Sequence, residues 1–195
     1  MTVALHDRRA YTGLVLAGGA GRRVGGQDKG MLSWRGAKLA EHVCYRLRPQ
    51  VGELWISCNR NQQFYGSLAD RVVVDQGPGF EGPLAGIAAV AALTADIQSP
   101  FLLISACDTP RLPVDLGERL MAGLQDPAID VCVAFDGERE QYLAAALRTR
   151  CLPSVNHYLE LGQRSVRGWY ASLRRNRIDF SDQAESFFNY NNLTQ

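Results

Sequence analysis

The sequence has few histidines and no paired cysteines. Its 195 residues include three histidines, and its five cysteines stand far apart without a C-x-x-C pair. No histidine lies at a metal-ligand spacing from a cysteine. This scarcity disfavours a zinc site and indicates reduced thiols, buried or idle, in a reducing compartment. The five cysteines are Cys44, Cys58, Cys107, Cys132 and Cys151.

An excess of charge of one sign is also missing. Lysine and arginine together number 21, and aspartate and glutamate 20, with no block of like charges. Nonspecific nucleic-acid binding therefore has little electrostatic support. No apolar run approaches the roughly 18 residues of a membrane span, and the first ten residues, MTVALHDRRA, lack the apolar core and cleavage pattern of a signal peptide. We therefore expect a cytoplasmic protein that binds neither nucleic acid nor a membrane.

What the sequence does contain is a series of short apolar runs that alternate with amphipathic stretches, as is typical of βαβ units around a parallel sheet. This pattern predicts strands at residues 11–16, 53–57, 71–75, 100–105, 130–135, 142–147 and 177–180. It predicts helices at residues 38–47, 61–68, 84–95, 115–124, 152–161 and 165–173. No repeat, linker or change in composition interrupts the pattern. We predict one α/β domain over residues 1–195, a three-layer sandwich with a mostly parallel central sheet.

A glycine-rich segment follows the first predicted strand. In such folds, ligands bind beyond the carboxyl ends of the parallel strands. The glycines within residues 16–30 allow backbone N–H groups to turn toward one point and to come close to phosphate oxygens. Arg22, Arg23 and Lys29 add positive charges that suit a triphosphate of about −4. The segment therefore predicts a site for the phosphates of a nucleotide.

Two familiar phosphate-binding patterns do not fit this segment. The Walker pattern ends in G-K-[ST], whereas Lys29 follows Asp28 and precedes Gly30. The dinucleotide pattern G-x-G-x-x-G, begun at Gly19, meets Val24 where its last glycine belongs. An ordinary P-loop NTPase and a hydride-transfer enzyme are therefore disfavoured.

The run L-A-G-G-A-G-R-R-V-G-G-Q-D-K-G at residues 16–30 resembles the signature of the molybdenum cofactor guanylyltransferases. These enzymes belong to the wider superfamily of nucleotidyltransferases with a Rossmann-like fold. The run departs from the family mainly at Val24, where methionine is usual. Further along, residues 83–86 (P-L-A-G) resemble the family's second signature, and residues 107–110 (C-D-T-P) resemble its metal-binding strand end.

The resemblance implies a nucleotide-binding half at about residues 11–110. Within it, Arg23 and Lys29 would stabilise phosphate charge, and Asp108 would hold Mg²⁺. The residues that would hold the nucleotide are Leu16, Ala17, Gly18, Gly19, Lys29, Asn59 and Asp75.

Several of these polar residues also have a plain structural interpretation. Asp108 could be a turn or helix cap, or a hard oxygen ligand for Mg²⁺. Asp75 could be a solvated loop acid, or could accept hydrogen bonds from guanine or a ribose. Asn59 could bind a base, or could cap the next predicted helix. Asp28, within the glycine-rich segment, could orient Lys29 or a neighbouring arginine.

The acceptor-binding half, about residues 111–195, is less informative. The resemblance assigns the acceptor to Asn189 and Asn191, whose amides could meet the hydrogen-bonding edge of a pterin. Arginines between and after the last predicted helices could meet an anionic acceptor or form a solvated basic face. Two positions depart from the family pattern. Residues 141–143 (Q-Y-L) stand where a Pro-Thr pair is common, and residues 192–195 (N-L-T-Q) stand where Thr-Pro and a final helix are usual.

The leading hypothesis is a nucleotidyltransferase that moves GMP from GTP onto the terminal phosphate of molybdopterin cofactor, with Mg²⁺ as cofactor and pyrophosphate as the second product. One alternative is a related cytidylyltransferase acting on the same cofactor or on a sugar-like phosphate. A second is a non-catalytic protein that binds and delivers nucleotide or cofactor. The scarcity of histidine agrees with the leading hypothesis, because an acceptor that is already an ionised phosphate needs no general base. The resemblance further implies transient contact with molybdoenzymes or their chaperones.

Overall fold

The structure, a computed structural model, describes residues 10–19, 27–74 and 82–190. The strands in these ranges are β1 (Tyr11–Leu16), β2 (Ser33–Trp34), β3 (Ala37–Lys38), β4 (Glu53–Ser57), β5 (Arg71–Val73), β6 (Phe101–Ala106), β7 (Val131–Phe135), β8 (Glu140–Arg148) and β9 (Arg175–Asp179). The helices are α1 (Leu39–Leu47), α2 (Gln62–Gly66), α3 (Pro83–Ala91), α4 (Leu116–Gly123), α5 (Ser154–Glu160) and α6 (Val166–Ala171). Short 3-10 turns lie at Lys29–Met31, Arg48–Gln50, Thr94–Asp96, Thr149–Cys151 and Ser181–Phe187.

Within the described ranges, seven strands form one sheet in the order β5-β4-β1-β6-β8-β7-β9. The pairs β5-β4, β4-β1, β1-β6 and β7-β9 are parallel, whereas β8 runs antiparallel to both β6 and β7. Strands β2 and β3 form a separate antiparallel hairpin. The predicted α/β class with a mostly parallel central sheet is confirmed. Strand β8 joins the strands from the first part of the chain to those from the second.

Helices cover both faces of this sheet. On one face, α1 and α4 contribute Val43 and Leu120 to a buried cluster. On the other face, α3, α5 and α6 contribute Ile87, Leu159 and Trp169 to a second buried cluster. All six residues of β1 are buried, which explains why that central strand is an almost unbroken apolar run in the sequence. The predicted three-layer sandwich is confirmed.

One predicted helix is longer than the observed one, because a side chain caps its last turn. The helix predicted at 84–95 ends at Ala91, where the Thr94 hydroxyl donates to the Ala91 carbonyl at 2.5 Å and a 3-10 turn follows. The β2-β3 hairpin was not predicted, because two-residue strands carry no alternation. Its one local signal is the turn at Arg35 and Gly36, whose φ angles are 47° and 86°.

No helix in the described ranges has the length and apolar character needed to cross a membrane.

Candidate active site

The carboxyl ends of β1, β4 and β6 lie side by side, because β1 is paired with both of the others. Two backbone hydrogen bonds extend this pairing beyond the strands. The Ala17 amide donates to the Ser57 carbonyl at 2.8 Å, and the Cys107 amide donates to the Leu16 carbonyl at 3.2 Å. The glycine-rich segment and the loop that carries Asp108 therefore begin next to each other.

Lys29 and Asp108 form an ion pair at this edge of the sheet. Lys29 Nζ lies 3.0 Å from Asp108 Oδ2, although 79 residues separate them in the chain. The Asp108 side chain is only 8% exposed, against 28% for Lys29. The pairing joins the segment assigned to phosphates and the residue assigned to the metal. It also compensates the charge of a carboxylate that would be costly to bury alone.

Asp28 fixes the turn that carries Lys29. Its carboxylate is buried and accepts three hydrogen bonds, from the Gly30 amide at 3.1 Å, the Tyr65 hydroxyl at 2.7 Å and the Asn61 side-chain amide at 2.8 Å. A Cβ on Gly30 would lie 2.3 Å from the Tyr65 hydroxyl oxygen, so only glycine fits there. Asp28 therefore orients Lys29 by holding its backbone, and α2 supplies the anchors.

The other described residues predicted to hold the nucleotide lie at or after the ends of β1 and β4. Leu16 and Ala17 are buried, whereas Gly19 and Asn59 are exposed. The N-cap position of α2 is occupied by Asn61, two residues after Asn59, and the Asn61 side chain makes no capping hydrogen bond. The predicted residues Arg22, Arg23, Asp75 and Asn191 lie outside the described residues.

Arg60 is a cation at this edge that the sequence analysis missed. Its guanidinium donates to the Gly19 carbonyl at 3.2 Å, so it lies beside the glycine-rich segment. The only sequence signal was its position, three residues beyond the end of β4.

Helix α3 begins against the same strand ends. Pro83 occupies its first position, which suits the fixed φ of proline. A Cβ on Gly86 would lie 2.5 Å from Ser57 Oγ and 2.9 Å from Leu16 Cδ2. The P-L-A-G run is therefore where a helix packs directly on β1 and β4, and the small residue permits that approach.

A cavity of about 460 Å³ lies beyond the end of β6, next to the residue that follows Asp108. Most of the polar side chains that line it were not predicted from the sequence to lie together. Lining residues are Ala106, Thr109, Arg139, Glu140, Gln141, Tyr142, Leu143, Ala144, Arg167, Phe187 and Asn189. Of the residues predicted for the acceptor, Asn189 lies in this cavity.

A break in the register of β8 shapes one wall of the cavity. Val133 of β7 pairs with Ala145 of β8, but the next residue, Ala134, pairs with Gln141. The three residues between, Tyr142–Ala144, leave the β7 ladder, and all three line the cavity. Bulges of this kind redirect side chains at the edge of a site.

The charge of Glu140 in this cavity is already compensated. Arg175 donates to both of its oxygens at 2.7 and 2.8 Å, and the Tyr142 hydroxyl donates at 2.6 Å. Burial raises the pKa of Glu140, but these hydrogen bonds outweigh it and hold the pKa below its usual range. Within the described residues, Arg167 forms no ion pair. Arg139 forms a long one, with its Nε 3.7 Å from Asp136 Oδ2. The cavity therefore offers positive charge to a ligand.

The five cysteines are poorly placed to act as nucleophiles. All five are free and buried, as predicted. Burial, followed by the charge of Asp108, raises the pKa of Cys107, and burial raises the pKa of Cys44 to about 12. Thiols of this kind are un-ionised at neutral pH and react slowly.

Comparison with known sequences places the chain in a family. Residues 13–177 match the MobA-like NTP transferase domain. The chain belongs to this family. Molybdenum cofactor guanylyltransferase of Shewanella amazonensis is 41% identical to it over 182 residues, which is 93% of this chain and 91% of that protein.

Solved structures with the fold of this MobA-like domain include two with different names. Molybdopterin-guanine dinucleotide biosynthesis protein A of Archaeoglobus fulgidus aligns over 93% of both chains with a TM-score of 0.73 and 22% identity. The 4-diphosphocytidyl-2C-methyl-D-erythritol synthase of Anaerococcus prevotii aligns over 98% of this chain and 94% of its own, with a TM-score of 0.75 and 9% identity. The fold is therefore shared with a protein named for a cytidyl product, and does not by itself select a base.

The side chains at the site of this MobA-like domain suit a metal ion that binds together with the phosphates of a substrate. Within the described ranges, no three His, Cys, Asp or Glu residues gather as a metal site. Lys29 donates to Asp108 Oδ2. One buried carboxylate at a strand end fits Mg²⁺, which takes one or two carboxylates and completes its shell with phosphate oxygens and water.

Proposed function

We propose that this MobA-like domain transfers GMP from GTP to the terminal phosphate of molybdopterin cofactor, forming the guanine dinucleotide cofactor and pyrophosphate. The observation that carries the proposal is the Lys29–Asp108 pair, which stands between the glycine-rich strand ends and the cationic cavity. The 41% identity to a protein named for this activity supports the same assignment.

The nucleotide would bind over the ends of β1 and β4. Leu16, Ala17, Gly18 and Gly19 would hold the nucleotide, and Lys29 with Arg23 would neutralise the charge of its phosphates. We assign Asn59 and Asp75 to the base or ribose, since amide and carboxylate groups match the edge of guanine.

Mg²⁺ is proposed as the cofactor, held by Asp108. When bound, it would neutralise phosphate charge at the reacting centre. Lys29 already contacts the same carboxylate, so it would share the compensation of that charge with the ion. The protein's own contribution is a fixed carboxylate and a fixed ammonium group at one point.

The acceptor would occupy the cavity beyond β6. Arg139 and Arg167 would bind its phosphate, and Asn189 with Asn191 would steady the pterin. An oxygen of the acceptor phosphate attacks the α-phosphorus of GTP, and the bond from that phosphorus to the β-phosphate oxygen breaks. The bonding electrons leave with pyrophosphate. An ionised phosphate has no proton to remove, so alignment and charge compensation supply the catalysis.

Two alternatives stay open to experiment. A cytidylyltransferase would use the same sheet, as the shared fold of the cytidyl-named protein illustrates. A delivery protein would bind nucleotide without turning it over. The Lys29–Asp108 pair favours the enzyme, because passive binding has less need of a carboxylate beside the phosphates.

The first test is titration of the protein with GTP, CTP and ATP, with and without Mg²⁺. Lys29→Ala should weaken GTP binding about tenfold or more, as expected for a lost charge-assisted hydrogen bond. Lys38→Ala is a matched control, because the Lys38 ammonium donates to the Ser33 hydroxyl on the surface of the β2-β3 hairpin. Preference for CTP would support the cytidylyltransferase, and absence of nucleotide binding would contradict a transferase.

A second measurement separates the enzyme from a delivery protein. Addition of molybdopterin cofactor to the GTP complex should release pyrophosphate in proportion to the acceptor consumed. Tight binding of both ligands with no pyrophosphate would support delivery instead. A cytoplasmic location and transient contact with molybdoenzymes or their chaperones stay predictions.

A further inference from the structure

The β2-β3 hairpin directly follows the turn that carries Lys29. It begins at Ser33, two residues after that turn ends, and leads into α1. The Leu39 amide at the start of α1 donates to the Leu32 carbonyl at 2.9 Å, which closes the base of the hairpin. The hairpin is therefore held by the same segment that places Lys29 beside the strand ends.

Trp34 is the large side chain of this hairpin and is half-buried. Its ring packs against Tyr190, with centroids 5.0 Å apart, and against the edge of the His42 ring at 4.9 Å. The Arg111 guanidinium, from the loop that follows Asp108, lies 5.9 Å from the centre of the Trp34 ring. One indole therefore joins α1, the Asp108 loop and the C-terminal segment.

The C-terminal segment reaches the site through two anchors. Phe187 is buried and packs on Phe180, with ring centroids 5.6 Å apart. Three residues later, the Tyr190 amide donates to the Asp108 carbonyl at 2.9 Å. Asn189 lies between these anchors and lines the acceptor cavity. Its position therefore depends on both, and Trp34 packs on the second.

We propose that Trp34 is a positioning residue for the transfer reaction. By packing on Tyr190, it holds Asn189 in the acceptor cavity. The proposal rests on the proposed function and names a residue that aligns the acceptor. Because Trp34 acts on the segment that carries Asn189, its loss should impair use of the acceptor more than binding of GTP.

The experiment compares Trp34→Ala and Trp34→Phe with Phe188→Ala. Phe188 is a matched control, since it is an aromatic residue next to Asn189 but is 56% exposed. Trp34→Ala should lower kcat/KM for the acceptor by about threefold to tenfold, the size of one aromatic contact, with an unchanged Kd for GTP. Hydrogen exchange at the Tyr190 amide should become faster. Trp34→Phe should restore most of both properties, and Phe188→Ala should change neither.

Three results would overturn the proposal or separate it from the function it rests on. If Trp34→Ala behaves like Phe188→Ala, the indole positions nothing. If it weakens GTP binding as much as acceptor use, its role is general to the fold, and the proposal is wrong. If the unmodified protein transfers no GMP, the proposed function fails, while the exchange rate at Tyr190 still decides whether Trp34 holds the segment.

Discussion

The two sides of the candidate site are built in different ways. On the nucleotide side, the end of β1, the glycine-rich segment and Lys29 lie within the first 30 residues, and the loops that follow β4 and β6 complete the site. On the acceptor side, the cavity takes side chains from β6, the β7-β8 turn, β8, α6 and the C-terminal segment. The first side depends mainly on backbone geometry, and the second on side chains from five places in the chain.

Because of this difference, the two sides should tolerate amino-acid substitution to different degrees. The nucleotide side accepts substitution poorly where close packing requires glycine, as at Gly86 and Gly30. A cavity made from side chains can change its ligand with one residue. We therefore expect mutations on the two sides to affect different kinetic constants, and Asp108, which contacts both, to affect all of them.

The largest effect is expected at Asp108, where the two sides meet. Asp108→Asn keeps the shape but removes the charge, so Lys29 loses its ion partner and the metal its proposed ligand. Turnover should fall by about 100-fold or more, the range seen when one group that stabilises developing charge is removed. Steady-state pyrophosphate release measures it. Full activity of Asp108→Asn with Mg²⁺ present would show that the metal role is wrong.

Arg167→Gln should affect the acceptor side alone. It removes a cation that faces the cavity without an ion partner in the described structure, so KM for the acceptor should rise by about tenfold. The Kd for GTP, measured by titration, should not change.

Arg174→Gln is the matched control for that variant. Arg174 is exposed, and the hydrogen bonds found for it use its backbone, with its carbonyl accepting from Asp130 and Val131. If both arginine variants raise the acceptor KM equally, the effect is one of general surface charge and the assignment of Arg167 is wrong.

Tyr65→Phe should affect the nucleotide side alone. The variant removes one of three hydrogen bonds to the buried Asp28 carboxylate, which should cost about 1–3 kcal/mol of unfolding free energy. The turn that carries Lys29 should loosen, so GTP binding weakens while the acceptor KM stays constant. Urea unfolding and GTP titration measure the two effects. An unchanged stability would mean that Asp28 is held well enough by Gly30 and Asn61.

The smallest effect is expected on the pH dependence of stability, through Glu140 in the acceptor cavity. Because the folded pKa of Glu140 is depressed, its stabilising contribution is complete above the unfolded pKa of about 4.3 and is lost as pH falls through the folded value. Glu140→Gln should therefore be less stable than the unmodified protein at neutral pH, by under about 1 kcal/mol for a pair with Arg175 42% exposed. The difference should shrink as pH falls below about 4.3 and vanish once pH lies below the depressed folded pKa. A difference that persists in acid would contradict the ion pair as its source.

The nucleotide side was largely predictable from the sequence, because each of its parts follows directly after an apolar strand. The glycine-rich run and the strand before it identify Lys29, and the most apolar strand identifies Asp108. What the sequence could not give was their distance, since contact across 79 residues depends on sheet order. It also could not show that Asp28 is held by Tyr65, because that tyrosine has no motif around it.

The acceptor side was poorly predictable for the opposite reason. Arg139 lies in the β7-β8 turn and Tyr142 on β8, but Arg167 lies on α6, and only the fold brings it to the other two. An arginine near the end of a chain looks the same in sequence whether it faces solvent or a cavity. Of the predicted pair, Asn189 reaches the cavity, and Asn191 lies outside the described residues.

The break in register of β8 has a consequence for how such proteins diverge. In the described sheet, Tyr142 and Leu143 have no register partner on β6 or β7. A replacement at either position therefore leaves the ladders on both sides intact. Inherited changes at these two residues can therefore spare the pairing of the sheet, so a lineage could exchange one acceptor for another while its nucleotide chemistry stays the same.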